Sequence, residues 1–164
     1  CAGVFLYKGE LPQREVDAKY TGETSQFFTM ENGARIHFRD EGNSAGPAVV
    51  LVHGSNASMH TWEPWVEILG DSYRIITMDL PAHGLTGAVP DNDYGAQAQL
   101  RTVDAVVRHV GLDKFTLGGN SMGLGFRLKQ MHSVQSNRSK LNGRGTRAPP
   151  RLLFFSNFRR KSRC

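Results

Sequence analysis

Gly119-Asn120-Ser121-Met122-Gly123 places a serine between two glycines, directly after Lys114 to Gly118, a run that reads as a buried strand. This is the spacing of a nucleophile elbow. A serine held on a sharp strand-to-helix turn occupies a backbone conformation in which most side chains clash, so small residues two positions before and after it are a steric requirement. Gly119 and Gly123 meet it. The same turn aims the hydroxyl at the N-terminal end of the following helix, where free backbone N–H groups and the helix dipole favour a developing oxyanion.

Working outward, Pro47 to Gly54 is a continuous apolar run ending in His53-Gly54, as expected of a parallel strand buried on both faces. Tyr73 to Asp79 is a second such strand, running into the turn cluster Leu80-Pro81-Ala82-His83-Gly84. Between them, Trp62, Trp65, Val66, Ile68 and Leu69 fall near helical spacing and are expected to face the sheet, with Gly70-Asp71 as the stop. Tyr94 to Val110 carries Leu100, Val103, Val106, Val107 and Val110 at three- and four-residue intervals before Gly111, again a helix. Gln26–Met30 and Arg35–Phe38 flank Glu31-Asn32-Gly33, an Asn-Gly turn that predicts a hairpin. The order is a β-hairpin followed by β-α-β-α-β-elbow, an α/β doubly wound pattern with an antiparallel edge.

His53-Gly54-Ser55-Asn56-Ala57-Ser58, then Trp62, then Asp79 to Gly84, then Gly119 to Gly123 resembles the α/β-hydrolase superfamily in motif order and spacing. The likeness runs from about Gln26 to Gly123, and the lead-in Glu10 to Tyr20 is similar to that of some membrane-anchored bacterial members. The resemblance implies a serine hydrolase in which Ser121 is the nucleophile and the N–H groups of Met122 and Ser55 form the oxyanion hole. It further implies a small-molecule ester substrate attacked through an acyl-serine intermediate, without cofactor or metal. A serine at the elbow argues against the dehalogenase and epoxide-hydrolase branches, which use aspartate there.

Beyond Gly123 the pattern changes. Residues 1–125 hold nine basic and fifteen acidic residues, whereas residues 126–164 hold eleven basic and no acidic ones, a switch from −6 to +11 within an overall net charge of +5. Three segments are therefore expected: a lead-in over 1–25, a partial α/β-hydrolase domain over 26–125, truncated after the elbow, and a basic, disordered tail over 126–164. So abrupt a switch looks like a change of reading frame near codon 124 or a chimeric end, because domain boundaries do not normally cut a helix. A seryl hydroxyl needs a base, and the base an orienting acid. No carboxylate side chain follows Ser121, and the only later histidine, His132, is eleven residues on, roughly 16 Å along a helix axis. The 164 residues are thus expected to be inactive by themselves, and the elbow strand is expected to lie at an exposed edge.

The remaining candidates have structural readings. His53 and His83 are read as turn-stabilising, His109 as a partner of a helix C-terminus, and Asp79 as a turn-bonding carboxylate that precedes the serine. Gly118-Gly119 lacks the Lys-Ser/Thr ending and the spacing of a phosphate loop. Cys1 and Cys164 form no framework or metal pattern. Cys1 to Tyr7 is either the tail of a membrane anchor or signal sequence, which would place the intact parent at a membrane or outside the cell, or an ordinary buried strand. Two other classes of function stay open. A hydrolase scaffold also serves as a non-catalytic binder, and the arginines of the tail with Phe154, Phe155 and Phe158 suit an interaction or nucleic-acid role. Without a nucleic-acid motif in the tail, no nucleic-acid partner is expected.

Overall fold

The computed structural model describes residues 12–121. Helix α1 (Gln13–Tyr20) precedes β1 (Ser25–Thr29) and β2 (Arg35–Gly42). Then come β3 (Ala48–Val52), a 3-10 turn at Met59–Trp62, α2 (Glu63–Leu69), β4 (Arg74–Met78), α3 (Ala96–His109) and β5 (Thr116–Gly119). The strands form one sheet in the order β1-β2-β4-β3-β5. β3 runs parallel to both β4 and β5, and β2 runs antiparallel to β1 and β4.

The hairpin closes where the Asn-Gly turn predicts. Gly33 takes φ 81°, its N–H donates to the Met30 carbonyl at 2.9 Å, and Asn32 Oδ1 accepts the Ala34 N–H at 3.2 Å. Parallel strands need crossovers, and α2 and α3 supply them. The chain moves from β3 to β4, then back past β3 to β5, so right-handed crossovers put the two helices on opposite faces. On one face Val49, Leu51 and Ile75 pack with Trp62, Trp65, Val66 and Leu69. On the other, Val50, Val52, Ile76 and Met78 pack with Val103, Val106 and Val107 of α3. The strands carrying both sets are therefore apolar on both faces, the pattern the continuous runs of β3 and β4 required.

Three details depart from the periodicity. The expected helix around Trp62–Leu69 is split, with Trp62 ending the 3-10 turn and Pro64 in the first turn of α2, where its missing N–H costs nothing. Ile68 is 75% exposed and does not face the sheet. It sits about 100° around the helix from Leu69, off the stripe formed by Trp62, Trp65, Val66 and Leu69. Helix α1 has no buried residue and so carries no apolar stripe to read. It is tied down by polar contacts, Gln13 with Asp17 at 2.9 Å and Asp17 with Arg35 at 3.0 Å. Met122, Gly123 and the basic segment 126–164 lie outside the described residues.

Candidate functional site

The carboxyl ends of β3, β4 and β5 meet at the reversal of strand order, the crevice where open α/β sheets bind ligands. β5 delivers Asn120 and Ser121, and the Asn120 N–H donates to the Val52 carbonyl at 3.2 Å, continuing the β3–β5 ladder up to the serine. Ser121 takes φ 52°, a left-handed conformation uncommon for a residue with a Cβ and found at strained functional turns. Gly54, at the end of β3, faces it directly. A Cβ on Gly54 would lie 3.0 Å from Ser121 Cβ and 3.1 Å from the Asn120 carbonyl oxygen, so the close approach of the two loops requires glycine there. Ser55 follows on the exposed side of the same loop.

The buried His53 flanks the crevice, and hydrogen bonding fixes its role. The Leu80 N–H donates to His53 Nε2 at 3.1 Å, so the proton is on Nδ1, which donates to the Gly54 carbonyl at 2.7 Å. Burial, partly opposed by that backbone bond, holds the His53 pKa below its ordinary value and the ring neutral. Since both nitrogens are engaged, His53 is a brace between the β3 and β4 loops rather than a base for Ser121.

Asp79 gathers its surroundings in the same way. Its Oδ1 accepts the Met59 N–H at 2.9 Å and its Oδ2 the Leu85 N–H at 3.0 Å, while Oδ2 also lies 2.7 Å from His37 Nδ1. Burial alone would raise its pKa, but the His37 bond and the two backbone donors overcome that and hold it below the usual carboxylate range. Asp79 thus binds turns together, as its place in the sequence suggested. Its buried His37 partner, forty-two residues away, carries no motif and escaped the sequence reading.

A model of the family described as alpha/beta hydrolase fold matches residues 47–124. These residues are the N-terminal portion of an α/β hydrolase. The hydrolase portion is 35% identical over 98 residues to N-formylmaleamate deformylase of Pseudomonas putida, covering 60% of this chain and 36% of that protein. It is 33% identical over 108 residues to 2-hydroxy-6-oxo-6-phenylhexa-2,4-dienoate hydrolase of Burkholderia cepacia, covering 61% of this chain and 37% of the relative. Among solved structures, Cfl2 from Burkholderia cenocepacia superposes with a TM-score of 0.62 at 25% identity over 68% of this chain and 37% of its own. The chain therefore spans little more than a third of the length of these relatives.

Of the residues that the α/β-hydrolase likeness assigns to the site, Ser121 and the Ser55 loop come together across Gly54. Met122 lies outside the described residues. No helix among the described residues is long and apolar enough to cross a membrane.

Proposed function

We propose that this chain carries the nucleophile-bearing part of a serine hydrolase that cleaves carboxylic ester bonds through an acyl-serine intermediate. Ser121 attacks the carbonyl carbon, and the backbone N–H groups of Ser55 and Met122 receive the oxyanion. The observation that supports it is the left-handed Ser121 at the end of β5, pressed against Gly54. A turn that serves only to reverse the chain would carry glycine there at no steric cost. The strain is accounted for by the hydroxyl it presents.

Among the described residues, His53 is not free to act as a base for this serine. Both nitrogens of His53 are committed to Gly54 and Leu80, and no carboxylate follows Ser121. An oxyanion hole without its triad retains only about 10³- to 10⁴-fold over water. The chain is therefore expected to hydrolyse p-nitrophenyl acetate no faster than its Ser121→Ala variant. Joined through residue 124 to the C-terminal portion of a relative such as the deformylase, it is expected to form a fluorophosphonate adduct at Ser121. A folded chimera without a Ser121 adduct would refute the nucleophile assignment, and esterase activity of the unjoined chain that Ser121→Ala removes would refute the absence of a base. A small-molecule ester is proposed as the substrate, and no nucleic-acid partner is proposed.

A further inference from the structure

The structure assembles a second serine, histidine and aspartate, in a line that runs from the edge strand β1 through β2 to the turn after β4. Ser25 opens β1, His37 lies in β2, and Asp79 follows β4. Ser25 Oγ is 2.8 Å from His37 Nε2, and His37 Nδ1 is 2.7 Å from Asp79 Oδ2. β1 and β5 are opposite edges of the five-stranded sheet, four strand spacings or roughly 19 Å apart. Ser25 is thus separate from the elbow.

Each member is held in the state that general-base activation needs. The ionised Asp79 accepts the Nδ1 proton, which leaves the Nε2 lone pair toward Ser25, so the Ser25 hydroxyl donates to the ring. The imidazole cannot turn away, because Phe27 stacks on it at 4.8 Å between centroids and 24° between planes, and the ring is wholly buried. Gly22 N–H donates to Ser25 Oγ at 3.1 Å, fixing the oxygen from the other side. Ser25 itself is half-buried and lies on the edge strand of the sheet.

A cation stands beside it. Arg39 is the cross-strand neighbour of Ser25 in the β1–β2 register and is 7% exposed. Its Nη1 pairs with Glu63 at 3.0 Å, whereas its Nε is buried with no hydrogen-bond partner among the described residues. Its Nη2 lies 3.2 Å from the position a Cβ on Gly22 would occupy. A buried guanidinium with an unused donor next to an activated hydroxyl is suited to oxygen that becomes negative during attack.

We propose that Ser25 is a second nucleophile, activated by His37 and Asp79, that accepts acyl groups from small activated esters. Ser25 Oγ attacks the ester carbonyl carbon while its proton passes to His37 Nε2, and the Arg39 guanidinium faces the oxyanion. The bond from carbon to the leaving oxygen then breaks, that oxygen departs with its electron pair and takes the proton from Nε2, and Ser25 carries the acyl group.

The test uses the full chain and an alkyl fluorophosphonate, with each adduct located by peptide mass mapping. In the labelled step the Oγ–P bond forms, the P–F bond breaks with loss of fluoride, and the proton remains on His37. Ser44 and Ser72, both exposed, act as reference hydroxyls in the same molecules. Ser25 is expected to react at least about tenfold faster than either, to lose that advantage in guanidinium, and to slow by roughly 10²-fold in His37→Gln, the range of a general base. A Ser25 rate no greater than that of Ser44 and Ser72 in buffer would overturn the proposal, whatever the fate of the His37 variant. Adducts at Ser25 and Ser121 fall on different peptides, so the two assignments stand or fall separately.

Discussion

Gly84 shows how a single backbone atom can hold a loop in register. It takes φ 47°, and a Cβ there would run into the Asp79 carboxylate, the group that binds the Met59 and Leu85 turns. Gly84→Ala adds a left-handed strain to a buried clash, and is expected to destabilise the fold by about 2–4 kcal/mol, read from the midpoint of urea denaturation. Two buried groups make stability depend on pH in one direction. His53 stays neutral in the fold, so once the pH drops below its ordinary value of 6.5 the unfolded chain binds a proton that the native state refuses. Asp79 stays ionised in the fold, so below its ordinary 3.8 the unfolded chain again binds more protons. Stability rises with pH wherever the unfolded state holds more protons, so both contributions are present at neutral pH and are lost on acidification. Denaturation midpoints are expected to fall between pH 7.5 and 5.5, with His53→Gln flattening that segment. A midpoint that rises on acidification would contradict the assignment of a neutral His53.

At the scale of elements, the parallel strands and α3 were legible because burial on two faces, or on one stripe, writes itself into local spacing. β3 and β4 appear as unbroken apolar runs, and Val103, Val106 and Val107 all reach the core. The turn at Ser121 stands out for a different reason, since its left-handed φ of 52° leaves little room for side chains beside it. Helix α1 was not, because its contacts are polar and reach Arg35 from Asp17, an association no local period encodes. The Ser25–His37–Asp79 line was hidden for the same reason, as its partners are twelve and forty-two residues apart. The sheet order also has a mechanical outcome. Among the described residues β5 pairs only with β3, so its second ladder edge is unpaired, the condition that favours local opening and association. Native-state hydrogen exchange is expected to show weaker protection for Thr116 to Gly119 than for Val49 to Val52. Equal protection would mean that another strand covers that edge.

Over the described residues as a whole, the sheet packs α2 on one face and α3 on the other, with the Gly54–Ser121 crevice at the carboxyl ends of β3 and β5 and Ser25 on the opposite edge strand. Asp79 is the residue through which these parts communicate. Its carboxylate is bonded to β2 through His37, to the 3-10 turn through Met59 and to the following loop through Leu85, and its carbonyl oxygen accepts the Thr86 hydroxyl at 2.8 Å. His37 and Met59 lie forty-two and twenty residues from Asp79 along the chain, so the full set cannot exist until the sheet has already been assembled. The carboxylate is therefore a latch on the way out of the native state rather than a seed on the way in. Asp79→Asn, costing about 2 kcal/mol, should hasten unfolding about 30-fold and change the refolding rate by less than about twofold. A stopped-flow chevron whose folding arm drops instead would place this junction in the nucleus. If the unfolding arm moves, the lifetime of the folded domain is governed by one buried carboxylate.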